Sequence, residues 1–115
     1  MNEQMDMIKA VYEDGEAEIN GRKYTICKLN HQKRLRVFAY FTEVQSNMER
    51  NSMGFMGTPQ WAEIEKLICE NVMFDGDLLV RRKGHFDDYP EDYIMFAVTM
   101  MGVFSYPFLR GSLTA

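Results

Sequence analysis

The residues best able to do chemistry crowd into one stretch, HFDDYPEDY, where His85, Asp87, Asp88, Glu91 and Asp92 surround Tyr89 and Pro90. Acids at that density can ligate a metal, form a general acid–base pair, meet a partner or start a helix. A metal loop is a poor match, because His85, Asp87 and Asp88 lack a known ligand spacing and no Asp-x-Asp-x-Asp-Gly series is present. An acid–base pair needs a nucleophile or base opposite, and nothing in the sequence supplies one. A helix start needs nothing further. Pro90 suits a first turn, since its missing N–H would be unpaired there anyway. Asp88 is placed to cap that turn. Glu91 and Asp92 then face a positive dipole end, a gain of roughly 0.3–1 kcal/mol each.

The other reactive residues are few. Cys27 lies four residues before His31, and Cys69 lies sixteen before His85. Neither pair has the close cysteine knuckle of a structural zinc site. A cysteine on a helical stripe, as Cys69 is, serves packing more often than nucleophilic attack. Gly54 and Gly57 lack the following Lys and the strand–helix context of a phosphate loop. Asp75-Gly76-Asp77 reads as a turn. The sequence therefore points to no catalytic residue, no metal and no cofactor.

The elements that must position these residues fit one small domain spanning residues 1–115. The chain is 46% hydrophobic and 26% charged, a globular composition. Its net charge of -4 disfavours general nucleic-acid binding. The acidic, mixed N-terminus is no secretory signal. The longest apolar run, Tyr93 to Tyr106, falls short of a bilayer span and is broken by Thr99, Gly102 and Ser105. A reduced, cytoplasmic protein is the expectation. Ten methionines are many for this length. They fill irregular cores or form adaptable contact surfaces, and both readings stand here.

Residues 1–14 place Met5, Ile8 and Val11 or Tyr12 at helical spacing in a short, highly charged segment, read as a frayed arm. Asn20-Gly21 sits between two strand-like runs and predicts an N-terminal hairpin, with Ile19, Tyr24 and Ile26 buried. Asn30 caps a helix from about His31 to about Glu49, with Leu35, Phe38, Phe41, Val44 and Met48 on its apolar face. Asn51 to Gly57 is a loop. Thr58-Pro59 starts a second helix, with Trp61, Ile64, Leu67, Ile68 and Val72 buried. Asp75-Gly76 turns a second short hairpin from Val72 to Val80. The acids then open a third helix, apolar nearly all round, which Pro107 ends. The fold class is α+β: an N-terminal β-hairpin followed by about three helices with a second short hairpin.

Two features suggest contacts. His31, Lys33, Arg34 and Arg36 start a helix where the dipole disfavours cations. They are a solvated face or a patch for an acidic partner or neighbouring subunit. Residues 106–115 form a C-terminal tail carrying Tyr106, Phe108 and Leu109, either docked on the domain or awaiting a partner.

The series EINGRKYTICKL, RVFAYF, WAEIEKLICENVMFDG and DDYPEDY…VTMMGVFSYPFLRG resembles the small tail assembly chaperones of long-tailed bacteriophages, over about residues 16–111. YPEDY and SYPFLRG carry it best. The resemblance implies a non-enzymatic protein of the host cell cytoplasm that binds and solubilises the tape measure protein, self-associates, and is displaced as tail tube protein polymerises. It also implies, in many families, a longer frameshifted form. It supplies no functional residues. The adaptable or terminal residues Met53, Phe55, Met56, Tyr106, Phe108 and Leu109 and the basic Lys33, Arg34 and Arg36 are the candidate contacts. A small structural tail or adaptor protein retained in the virion is the alternative.

Overall fold

The computed structural model describes residues 3–114, with side chains from 5 to 110. Two Xaa-Gly turns build its sheet. Asn20 and Gly21 (φ 51° and 81°) and Asp75 and Gly76 (φ 52° and 82°) all take left-handed backbone, as a two-residue type I′ turn requires. The first turn joins β1 (Glu16–Ile19) to β2 (Arg22–Ile26), and the second joins β3 (Val72–Phe74) to β4 (Asp77–Leu78). The two hairpins are one sheet. β2 pairs antiparallel with β3, Thr25 opposite Met73 and Ile26 opposite Val72, giving the order β1-β2-β3-β4.

Between the hairpins run α2 (His31–Glu49), a 3-10 turn (Gly54–Gly57) and α3 (Pro59–Cys69). Asn30 caps α2, its side-chain oxygen accepting from the Lys33 N–H at 2.9 Å. Thr58 caps α3 by accepting from Trp61 N–H, with Pro59 at the first helical position. The buried face of α2 is turned from the expected stripe: Val37, Tyr40, Phe41 and Val44 are buried, while Leu35 is 41% exposed. Phe41 and Val44 belong to the expected stripe, and its Phe38 and Met48 are half-buried.

Three boundaries depart from the sequence reading. The first described element is a helix, not the hairpin: α1 (Glu3–Asp14) takes up the helical spacing of Met5, Ile8 and Val11. Its Ile8 is buried against Gly102, where an added Cβ would lie 2.5 Å from Ile8 Cδ1. A bare backbone on the partner helix is what lets so short and charged a segment dock.

The acidic stretch forms a one-turn helix, α4 (His85–Asp88), then a 3-10 turn (Pro90–Asp92) leading into α5 (Tyr93–Thr114). Asp88 caps nothing, since Tyr89 holds the cap position with no side-chain bond. Pro107 does not end α5 and lies inside it. It leaves the Val103 carbonyl without its helical donor, yet packing carries the helix onward. Residues 106–110 are therefore helix, with Tyr106 and Phe108 docked on the domain, and side chains beyond them lie outside the described region.

Helix α5 is the spine of the fold. Phe96, Ala97, Met100, Met101, Val103 and Phe104 are all buried, packed by α1, α2 and α3. Pro90–Arg110 is long and apolar enough to cross a membrane by length and composition, but 61% of its most apolar window is buried inside the protein.

Candidate functional site

Where α1, α2 and α5 diverge, they leave a groove of about 510 Å³. Met5 and Ile8 come from α1, Phe41 and Met48 from α2, and Ile94, Met95, Val98 and Leu109 from α5, with Met53 from the segment after α2. Four of the ten methionines thus line one surface. Gln45, Glu49 and Asn51 give it a polar rim. Ile94 (46%) and Met95 (53%) are the most exposed of the large apolar side chains described. Met100 and Met101, by contrast, are fully buried, as the core reading of the methionines expects.

The candidate contact residues divide. Met53 and Leu109 line the groove. Phe55 does not: it is buried, within 6.2 Å of Tyr40 and 6.0 Å of Trp61 between ring centroids. Met56 is half-buried against the same core. Tyr106 is buried on Tyr12 of α1, and Phe108 packs on Phe38 at 4.8 Å. So the aromatic candidates hold helices to one another. The glycines around Phe55 and the terminal position of Phe108 suggested exposure that the 3-10 turn and the longer α5 remove. Lys33 and Arg36 are exposed and Arg34 is half-buried. Arg36 lies 3.4 Å from Glu63, with both side chains largely in solvent, a contact of small energetic worth.

A second constellation was missed in the sequence. Asp92 is fully buried, and three side chains of the first hairpin donate to it: Tyr24 hydroxyl at 2.6 Å, Asn20 Nδ2 at 2.8 Å and Arg22 at 3.1 Å. Arg22 also reaches Glu91 at 2.8 Å and lies 4.0 Å from the centroid of the Tyr89 ring. His85 Nε2 lies 2.9 Å from the Tyr24 oxygen. Tyr24 has one proton, and the short contact to a carboxylate assigns it to Asp92. His85 must then donate from Nε2, which leaves Nδ1 bare, buried and without a partner among the described residues. The usable signal was Arg22 and Tyr24, two apart and so on one strand face. A cation beside a tyrosine expected to be buried needs an acid.

The environment sets each charge. Burial would raise the Asp92 carboxyl, but hydrogen bonds from Tyr24, Asn20 and Arg22 outweigh it and hold it below 3.8. Burial, then the bond to Asp92, pushes Tyr24 well above 10.0. Burial, then the Arg82 cation, lowers His85 below 6.5, against the opposite pull of Asp92. The seam is an ionised acid, a neutral imidazole and a neutral phenol. It crosslinks sheet to helix and engages both Asp92 oxygens.

Tyr93 makes a similar link between α5 and α3, donating to Glu65 and accepting from Trp61 Nε1 at 2.8 Å. Burial, then Glu65, pushes the Cys69 thiol up to about 12, so it stays protonated and unreactive at neutral pH. Among the described residues no three His, Cys, Asp or Glu side chains are grouped to hold a metal. No protein-family model, curated protein or solved structure matches the chain.

Proposed function

We propose that this chain is a non-enzymatic tail assembly chaperone of a long-tailed bacteriophage, binding the tape measure protein in the host cytoplasm until tail tube protein replaces it. The observation that carries this reading is the methionine-lined groove between α1, α2 and α5. Methionine has three rotatable bonds and a polarizable sulfur, so it conforms to varied apolar side chains. Apolar grooves between helices receive the apolar face of a partner helix. Two turns of helix, about 11 Å long and 10–12 Å wide with side chains, exceed the groove's volume. The groove would take one apolar stripe and leave the partner's polar side in water. Adaptable contacts suit a client that must be released.

The resemblance of EINGRKYTICKL, WAEIEKLICENVMFDG and SYPFLRG to that chaperone family supplies the identity of the client. The test is co-expression with the tape measure protein of the same genome, followed by solubility and pull-down. A soluble complex absent from finished particles supports the proposal. Insoluble tape measure with nothing co-purified overturns it. Recovery of the chain from intact virions by mass spectrometry would instead make it a structural tail protein.

A further inference from the structure

His85 occupies an unusual position. It sits in a one-turn helix, is 5% exposed, and spends its only ring N–H on Tyr24. Its second nitrogen has no partner among the described residues. The ring lines a pocket of about 240 Å³ between α3 and the α4 turn. That turn is held by few backbone bonds, among them Tyr89 N–H to the His85 carbonyl at 3.0 Å.

We propose that His85 is an acid-sensitive latch: a proton taken up at Nδ1 releases the α4 turn, and with it the start of α5, from the first hairpin. The added N–H has no acceptor among the described residues in the closed form. The resulting cation would share its surroundings with two others, Arg82 and Arg22. Asp92 and Asp88 attract it, but Asp92 is already engaged by Tyr24, Asn20 and Arg22, and Asp88 is exposed. From α3, Glu65 and Cys69 border the same pocket, as does Asp87 of the turn itself. Glu65 already accepts from Tyr93, and the Cys69 thiol is a weak acceptor. Opening hydrates the imidazolium but gives up the ring contacts of His85 with Tyr24, Phe74, Phe86 and Tyr89; the single helical turn itself carries little stability of its own.

The proton comes from solvent, so linkage sets the size of the effect. Between the ordinary histidine value and the lower closed-state value, opening gains up to about tenfold per pH unit. Ile94 and Met95 follow Asp92 by two and three residues, so opening also disturbs the α5 wall of the groove. That consequence rests on the proposed client binding, whereas the latch itself does not.

The test uses the intact chain without partner. Ring NMR follows His85, and hydrogen exchange, corrected for intrinsic rates, follows residues 85–95 from about pH 7.5 to about pH 5. Expected is up to about a tenfold loss of protection per unit at 85–95, with α2 unchanged. His85→Gln, whose amide still donates to Tyr24 but does not titrate, should show no such loss. Three results would overturn the latch: protection at 85–95 that ignores pH while His85 titrates, a loss spread equally over α2, or the same loss in the Gln variant. Where that variant does not fold, the contrast between residues 85–95 and α2 in the unsubstituted chain decides.

Discussion

The Tyr24 hydroxyl meets the Asp92 carboxylate at 2.6 Å across 68 residues of sequence, inside the protein. The two ends of this contact lie on the sheet and at the mouth of α5. Removing one end differs from removing the other. Tyr24→Phe deletes one donor to Asp92 and strands the His85 N–H, a cost of about 1–3 kcal/mol. Asp92→Ala strands the Tyr24 hydroxyl and removes one acceptor each from Arg22 and Asn20, which keep Glu91, and losing three bonds to a buried charge should cost more, about 3–5 kcal/mol. Urea midpoints at constant m-value check both, and equal losses would contradict the arrangement.

Stability should be flat between pH 6.5 and 9.0 and fall on both sides, as the ordinary values of His85 and Cys69 require. His85 is lowered in the folded chain, so its contribution is complete above 6.5 and declines as pH falls toward the folded value. Asp92 is also lowered; its contribution stands above 3.8 and is lost as pH falls through the folded value. Cys69 is raised from 9.0 to about 12, and its contribution is lost as pH rises through that interval. Tyr24 and Tyr93, both raised from 10.0, add to the alkaline loss. His85→Gln should extend the acid edge of the plateau and keep the Asp92 loss. Denaturant titrations at stepped pH measure it.

Gly102 and Ile8 test whether α1 is an integral helix. Gly102→Ala places a methyl on buried Ile8, an overpacking cost of about 1–3 kcal/mol. Helix propensity returns up to about 1 kcal/mol. With Ile8→Ala already present, the same change should be neutral or stabilising. A double-mutant cycle on thermal unfolding reads the difference, and simple additivity would mean that the two residues do not touch.

Pro107 lies inside α5, where proline is about 3 kcal/mol worse than alanine. Proline also restrains the unfolded chain, worth about 0.4–1 kcal/mol. Pro107→Ala should therefore stabilise by about 2 kcal/mol, seen as a higher melting temperature.

Hairpins, caps and the approximate extents of α2 and α3 were legible in the sequence because each is set by a few neighbours: Asn20-Gly21, Asp75-Gly76, Asn30, Thr58-Pro59. What joined them was not. The β2–β3 pairing depends on residues far apart in sequence, such as Ile26 and Val72, and leaves no local mark. The docking of α1 depends on a glycine far along the chain. The buried seam drew residues from three separate segments, and only Arg22 and Tyr24 announced it locally. The groove is legible only as an excess of methionine, since which methionines share a surface is decided by how three helices pack.

Groove binding and core packing separate by substitution. Met95→Glu changes a side chain already half in water, so stability should move by no more than about 0.5 kcal/mol, while client binding falls at least tenfold. Phe55→Ala should do the reverse. It empties a buried ring position at a cost of about 3–5 kcal/mol and leaves the groove wall intact wherever the chain stays folded. Pull-down yield beside urea unfolding distinguishes the two.

The most direct measurement uses the methionines themselves. Methyl-labelled methionine in the intact chain, observed by NMR while an apolar helical segment of the tape measure protein is added, reports each site separately. Met5, Met48, Met53 and Met95 line the groove, and Met100 and Met101 are sealed in the core. Saturable shifts at the first four with the last two still are the result this account requires. Unchanged groove methyls at saturating segment, or shifts confined elsewhere, would contradict it.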